Sequence, residues 1–109
     1  MEYSENLRFA VSTIKDVLEK SGIPVVDIYL FGSRARGDYS SGSDWDFMIS
    51  STIDVPFTKK AQLTGRIQTI LAEKNISVDI VIKSEEKIKK EREDVGIITY
   101  YALKDGVLI

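Results

Sequence analysis

The sequence has no cysteine and no histidine. Their absence removes disulfides, thiolate nucleophiles, the usual zinc sites and every mechanism built on an imidazole. Proton transfer and metal binding must then rest on carboxylates, hydroxyls, lysine or arginine. A metal held by carboxylates alone has to be hard, which means Mg²⁺ or Mn²⁺. Long hydrophobic runs are also missing, and no stretch approaches a membrane span. The segment from Met1 to Glu5 has no basic region followed by an apolar one, so no leader is expected, and the expected location is the cytoplasm. No charge sign dominates either: 15 basic and 17 acidic residues leave a net charge of −2. Such a domain has no global field for gripping a nucleic-acid backbone. This weighs against direct nucleic-acid binding, although a local basic patch is still allowed.

What is present suits one folded domain spanning residues 1–109, with 43% hydrophobic and 29% charged residues. From Ser4 to Ser21 the residues Leu7, Ala10, Val11, Ile14, Val17 and Leu18 recur at three-and-four spacing, which predicts a helix ended by Gly22 and Pro24. Val25 to Phe31 predicts a strand. Ser33 to Ser43 reads as a loop, with room for one helical turn after Ser33. Asp44 to Ile49 predicts a second strand, with Trp45, Phe47 and Ile49 on one face and Asp44, Asp46 and Met48 on the other. Pro56 to Lys74 predicts a helix with Leu63, Ile67, Ile70 and Leu71 on one stripe and Asn75 at its end. Ile76 to Ile82 predicts a third strand that buries Ile76, Val78, Ile80 and Ile82 and turns Asp79 the other way. Ser84 is placed to cap a short charged helix, followed by a helical stretch over Val95 to Leu103 and an edge strand over Val107 to Ile109. The expected fold class is α/β (α+β): a short mixed sheet of three or four strands with helices packed on one face.

Three carboxylates carry chemical information. Asp44 and Asp46, two apart on a strand, leave the same face with Cα atoms roughly 6.5 Å apart. Two carboxylates so placed can converge on one cation, or on two, and a divalent cation relieves their repulsion. Asp79 interrupts an otherwise apolar strand, and joining the same site from an adjacent strand would explain it. Gly32 lets backbone N–H groups approach a phosphate. The Ser33 hydroxyl and the amides of a following turn can bind phosphate oxygens, and Arg36 can add a charge-assisted contact. Together these groups describe Mg²⁺–triphosphate chemistry.

Gly32-Ser33, ten residues, then Asp44-Trp45-Asp46 match the GSx10DxD signature of the DNA polymerase β-like nucleotidyltransferases. The surrounding residues, from Leu30 through Asp38 and Ser43 through Phe47, resemble the minimal nucleotidyltransferase branch, and so does the ending from Tyr101 to Ile109. The resemblance implies that Asp44 and Asp46 bind two Mg²⁺ ions and that Asp79 completes the metal and catalytic site, as the base for the acceptor hydroxyl. Ser33 and Arg36 would hold the triphosphate of ATP, beside Gly32. Minimal members often work with a HEPN-domain protein as antitoxin and toxin, so the resemblance also implies a HEPN partner whose tyrosine receives AMP, and an assembly with that partner. Two alternatives stay open: a nucleotide-binding antitoxin that acts by contact alone, and a transferase acting on a small molecule such as an aminoglycoside.

Several other residues have two readings. Arg34 suits a solvated loop as well as a phosphate contact. Trp45 and Phe47 suit core more than base stacking. The charged run from Lys83 to Asp94, with five basic and five acidic residues, suits a solvated helix face more than a partner surface. Tyr100 and Tyr101 suit packing, or a partner contact.

Overall fold

The computed structural model describes residues 2–109. In chain order it contains α1 (Glu2–Lys20), β1 (Val25–Phe31), α2 (Ser33–Arg36), β2 (Trp45–Ser51), α3 (Phe57–Ala72), β3 (Val78–Ser84), α4 (Glu85–Glu91), α5 (Ile98–Asp105) and β4 (Val107–Leu108). The two long helices end in the same way. Gly22 and Asn75 take left-handed φ values of 80° and 59°, and the next residue's N–H reaches back to the helix: Ile23 to the Leu18 carbonyl at 2.9 Å, Ile76 to the Leu71 carbonyl at 3.0 Å. This closure satisfies a terminal carbonyl and turns an apolar residue inward. Ile23 and Ile76 are accordingly buried. It also moves the third strand: Ile76 and Ser77 belong to the turn, and β3 runs on to Ser84.

The four strands lie in the order β3-β2-β1-β4. β1 is antiparallel to β2 and to β4, and β2 is parallel to β3, as a strand–helix–strand crossover through α3 allows. One sheet face carries Ile28, Leu30, Trp45, Phe47, Ile49, Val78, Ile80 and Ile82. They are buried against Ala10, Ile14, Val17 and Leu18 of α1 and Leu63, Ile67 and Leu71 of α3. Burying each Leu or Ile of this kind contributes about 1.5–3 kcal/mol. Trp45 and Phe47 are therefore core.

The expectation of helices on one face holds for the long helices α1 and α3, whereas the short helices α4 and α5 pack on the other. Ala102, Ile88 and Leu103 pack with Phe31, Met48, Tyr29 and Val81 on the opposite face. Met48, which shares a face with Asp46, is buried there. The short helices thus cover one end of that face, and the carboxylates occupy the other end.

The charged run is not uniformly solvated. Ser84 caps α4 by accepting from Lys87 N–H at 3.1 Å. Glu86 and Lys90 form an exposed pair at 3.6 Å. In contrast, Lys83 and Glu91 pair at 2.5 Å with side chains only 12% and 14% exposed, and Thr99 Oγ1 donates to the same Glu91 oxygen at 2.8 Å. This triad ties β3, α4 and α5 together. The hydrogen bond from Lys83, then that from Thr99, hold the Glu91 carboxyl below its usual range, against the opposing effect of burial. Lys83→Met should destabilise the fold by about 3 kcal/mol in urea unfolding, because an uncompensated carboxylate remains in a covered position. A lowered carboxyl pKa supports the fold above the usual carboxylate range and loses that support as pH falls through it. The Lys83→Met deficit should therefore shrink in acid, and a deficit that does not change with pH would assign the loss to packing.

Candidate active site

Parity along β2 and β3 decides which side chains meet. Asp46 and Asp79 are register partners in the parallel ladder, so their Cα atoms sit one strand spacing apart, about 4.8 Å. Both lie on the face opposite the main core. On the other side of β2, Phe31 is the partner of Asp46, which places the end of β1 and the following Gly32 beside the Asp46 carboxylate. Asp44 stands just before β2, exposed, at the end of the loop. Asp46 is half-buried and Asp79 exposed.

Gly32 is required twice over. Its φ of 73° and ψ of −159° are open essentially to glycine alone. A Cβ at this position would also sit 2.1 Å from Asp46 Oδ2. The backbone of the turn therefore lies against the carboxylate with no side chain between them. α2 is the single turn allowed after Ser33. Ala35 and Arg36 N–H both donate to the Gly32 carbonyl at 3.1 Å, and Gly37 N–H donates to the Ser33 carbonyl at 2.9 Å. The Ser33 hydroxyl and N–H take no part in these closing bonds.

The electrostatics follow from this crowding. Burial raises the Asp46 carboxyl above its ordinary range, and the charges of Asp79 and Asp44 raise it further, while Arg36 acts in the opposite direction. A carboxylate pushed up by two like neighbours is one that a cation would relieve. Among the described residues no three acidic side chains converge tightly enough to enclose an ion by themselves. An all-oxygen site of this open kind fits Mg²⁺, which is usually held by one or two carboxylates together with substrate phosphates, not by a closed protein cage.

The two arginines divide. Arg36 Nε donates to Asp38 Oδ2 at 3.4 Å, both side chains being about half exposed. Arg34 is a strut, which neither reading of the sequence anticipated. Its guanidinium lies 4.6 Å from the centre of the Tyr39 ring and 4.5 Å from that of Trp45, and Nη2 donates to the Ser43 carbonyl at 3.1 Å. The signal was present in the loop's one tyrosine and the tryptophan between the two acids. Beyond the loop a cleft of about 410 Å³ is lined by Arg34, Tyr39, Ser43, Trp45, Asn75 and neighbours, and it includes none of the three aspartates. Tyr101 is half exposed and meets Tyr100 edge to face at 5.2 Å.

No helix among the described residues is long and apolar enough to cross a membrane. Residues 11–104 match the family model described as nucleotidyltransferase domain. Spectinomycin 9-adenylyltransferases of Staphylococcus aureus are 34% identical over 61 residues, which cover 56% of this chain and 24% of theirs. The chain thus spans about a quarter of the length of the curated relatives it matches. A toxin–antitoxin crystal structure with AMP-PNP superposes with a TM-score of 0.62 at 20% identity, over 89% of this chain and 69% of that one. The complex of a tri-AMPylated Shewanella oneidensis HEPN toxin with MNT antitoxin gives 0.60 at 17% identity, over 97% and 70%. At these identities the solved structures speak for the fold. The family match runs through nearly the whole chain, from α1 to α5, and on that ground the protein belongs to the nucleotidyltransferase domain family.

Proposed function

We propose that this domain transfers AMP from ATP to an acceptor hydroxyl in a Mg²⁺-dependent reaction in the cytoplasm, and that the acceptor is a tyrosine of a HEPN-domain partner. The observation that carries this reading is the side-by-side register of Asp46 and Asp79 next to the glycine turn. The HEPN complexes among the structural neighbours support the choice of partner.

In the reaction the acceptor oxygen bonds to the α-phosphorus, the bond to the β-phosphoryl oxygen breaks, and pyrophosphate leaves. Ser33 offers its hydroxyl and N–H to the triphosphate. Arg36 exchanges Asp38 for a phosphate oxygen, a stronger charge-assisted contact. Asp44 and Asp46 would hold the Mg²⁺ ions, two in number, with Asp79 completing the set. Mg²⁺, when bound, would neutralise the phosphates and lower the pKa of the acceptor hydroxyl. Asp79 accepts the hydroxyl proton. A phenol with a pKa near 10 is a poor donor to a carboxylate, so the proton moves only as the new bond forms.

Co-expression with a HEPN partner and intact-mass analysis of that partner tests the proposal. An added adenylyl mass is expected. Asp79→Asn should keep the complex but lower transfer by about 10²- to 10⁴-fold, the range for a positioned general base. A partner that is silenced without any mass change would instead make this chain a binder that acts by contact.

A separate expectation concerns Arg36. Arg36→Ala should weaken ATP binding roughly tenfold in calorimetry, the worth of one charge-assisted hydrogen bond, and leave adenosine binding nearly unchanged. Equal losses for both ligands would remove Arg36 from the phosphate site.

A second reading has a specific support. The curated relatives are named as adenylyltransferases of spectinomycin, so the hydroxyl of a small aminocyclitol is the competing acceptor. Modification of spectinomycin by the isolated chain, with no transfer to the protein partner, would favour it.

A further inference from the structure

Among the described residues the sheet has an open edge at β3, whose one neighbour in the sheet is β2. The Ser77 carbonyl accepts from Trp45 N–H at 2.9 Å, so the Ser77 backbone faces β2. By the alternation of a strand, Val78, Ile80 and Ile82 then turn their N–H and C=O groups to the open side. Gln68 Nε2 donates to the Val78 carbonyl at 3.2 Å, which blunts the first of these positions. Ile80 and Ile82 lie farther along, beside a groove of about 360 Å³ between β3 and α3.

Four features of this groove suit one occupant. The middle of its α3 wall is low, formed by Ala61, Thr64 and Gly65, with Phe57, Lys60 and Gln68 on the same helix. Gly65 costs α3 about 0.5–1 kcal/mol relative to alanine, and a Cβ there would meet nothing within 4 Å, so the space beside it is empty. Phe57 at the mouth is 84% exposed. The lining holds no carboxylate and three lysines; Lys83 is already paired with Glu91, which leaves Lys60 and Lys87 as the cations offered to an occupant.

We infer that the open edge of β3 and the groove beside it dock an extended, acidic peptide segment of a partner protein, which adds to the sheet as a fifth strand. A peptide backbone supplies the alternating donors and acceptors that Ile80 and Ile82 present. Acidic side chains suit Lys60 and Lys87, and an apolar one suits Phe57. A second copy of this chain fits poorly, because pairing two β3 edges would bring lysines against lysines. A nucleic acid could satisfy the lysines but not the strand's hydrogen-bonding groups. Alternate side chains of the docked segment rise on the same face as Asp79 and Val81. The docking is independent of whether nucleotidyl transfer occurs.

An end-blocked heptapeptide of alternating glutamate and valine is the probe, titrated into ¹⁵N-labelled protein. Saturable shifts and slowed hydrogen exchange at the Ile80 and Ile82 amides are expected. The double variant Lys60→Glu/Lys87→Glu should weaken binding about tenfold or more, as charge reversal at a complementary surface does. Gly65→Leu should fill the groove and abolish it. A peptide N-methylated at alternate residues removes the pairing donors without touching the protein, and it should not bind. The inference is overturned if Ile80 and Ile82 do not respond, if the N-methylated peptide binds equally well, if an alternating lysine–valine peptide binds equally well, or if an oligonucleotide produces the same shifts and protection.

Discussion

Gly32→Ala is expected to leave a folded protein that has lost transfer activity by about a hundredfold or more, the effect of a misplacement of about 1 Å at a reacting centre. Two independent obstacles meet at this residue. The φ of 73° with ψ of −159° is strained for any residue with a Cβ, at about 1–3 kcal/mol. The new methyl would also stand 2.1 Å from Asp46 Oδ2. The carboxylate is the far end of a side chain and can swing aside, so the fold should survive. Swinging aside moves Asp46 away from Asp79 and from the turn, which is why activity suffers far more than stability. Thermal melting and transfer assays on the same preparation separate the two effects. Near-normal transfer in a protein destabilised by the strain alone would reduce Gly32 to a turn former.

Asp46→Asn is expected to lower transfer by about a thousandfold, the scale for removing one preorganised charge-stabilising group, and yet to raise the melting temperature of the ligand-free protein at neutral pH. The sign follows from crowding. Burial and the charges of Asp79 and Asp44 raise the Asp46 carboxyl, so ionising it opposes folding. A raised carboxyl pKa favours the fold below the unfolded-state value near 3.9, and this is lost as pH rises through the folded-state value. Asparagine removes the titration, so its advantage should be largest near neutrality and shrink towards pH 4. Adding Mg²⁺ and ATP should reverse the order, stabilising wild type more than the variant. A variant that gains as much from Mg²⁺-ATP as wild type would take Asp46 out of the metal site.

How far all this could be read from the chain depends on distance along it. The strand parity that puts Asp46 opposite Phe47 follows from a period of two, and the turn at Gly32-Ser33 follows from local chemistry. Both long helices were legible from their apolar stripes. The pairing of Asp46 with Asp79 was only half legible: parity gives the face, but the register is fixed by how α3 spans the crossover, which no short window contains. The Lys83–Glu91–Thr99 triad looked like solvated charge because its burial depends on α5 folding back over α4. Arg34 escaped for the same reason, since one of its two aromatic partners belongs to the core.

The arginine strut has a consequence for how a ligand arrives. Ordering a backbone residue takes about 1–2 kcal/mol of free energy, and a disordered stretch between Ser33 and Asp44 would levy that loss on each binding event. Here Tyr39, the Ser43 carbonyl and Trp45 hold the segment through one guanidinium, by contacts made wholly within the protein. Association with the site should then be limited by diffusion and desolvation and not by loop closure, with an entropy of binding little burdened by chain ordering. The spacing between the turn and the acids behaves as a fixed gauge: one residue added within it must dislodge the arginine from at least one of these supports.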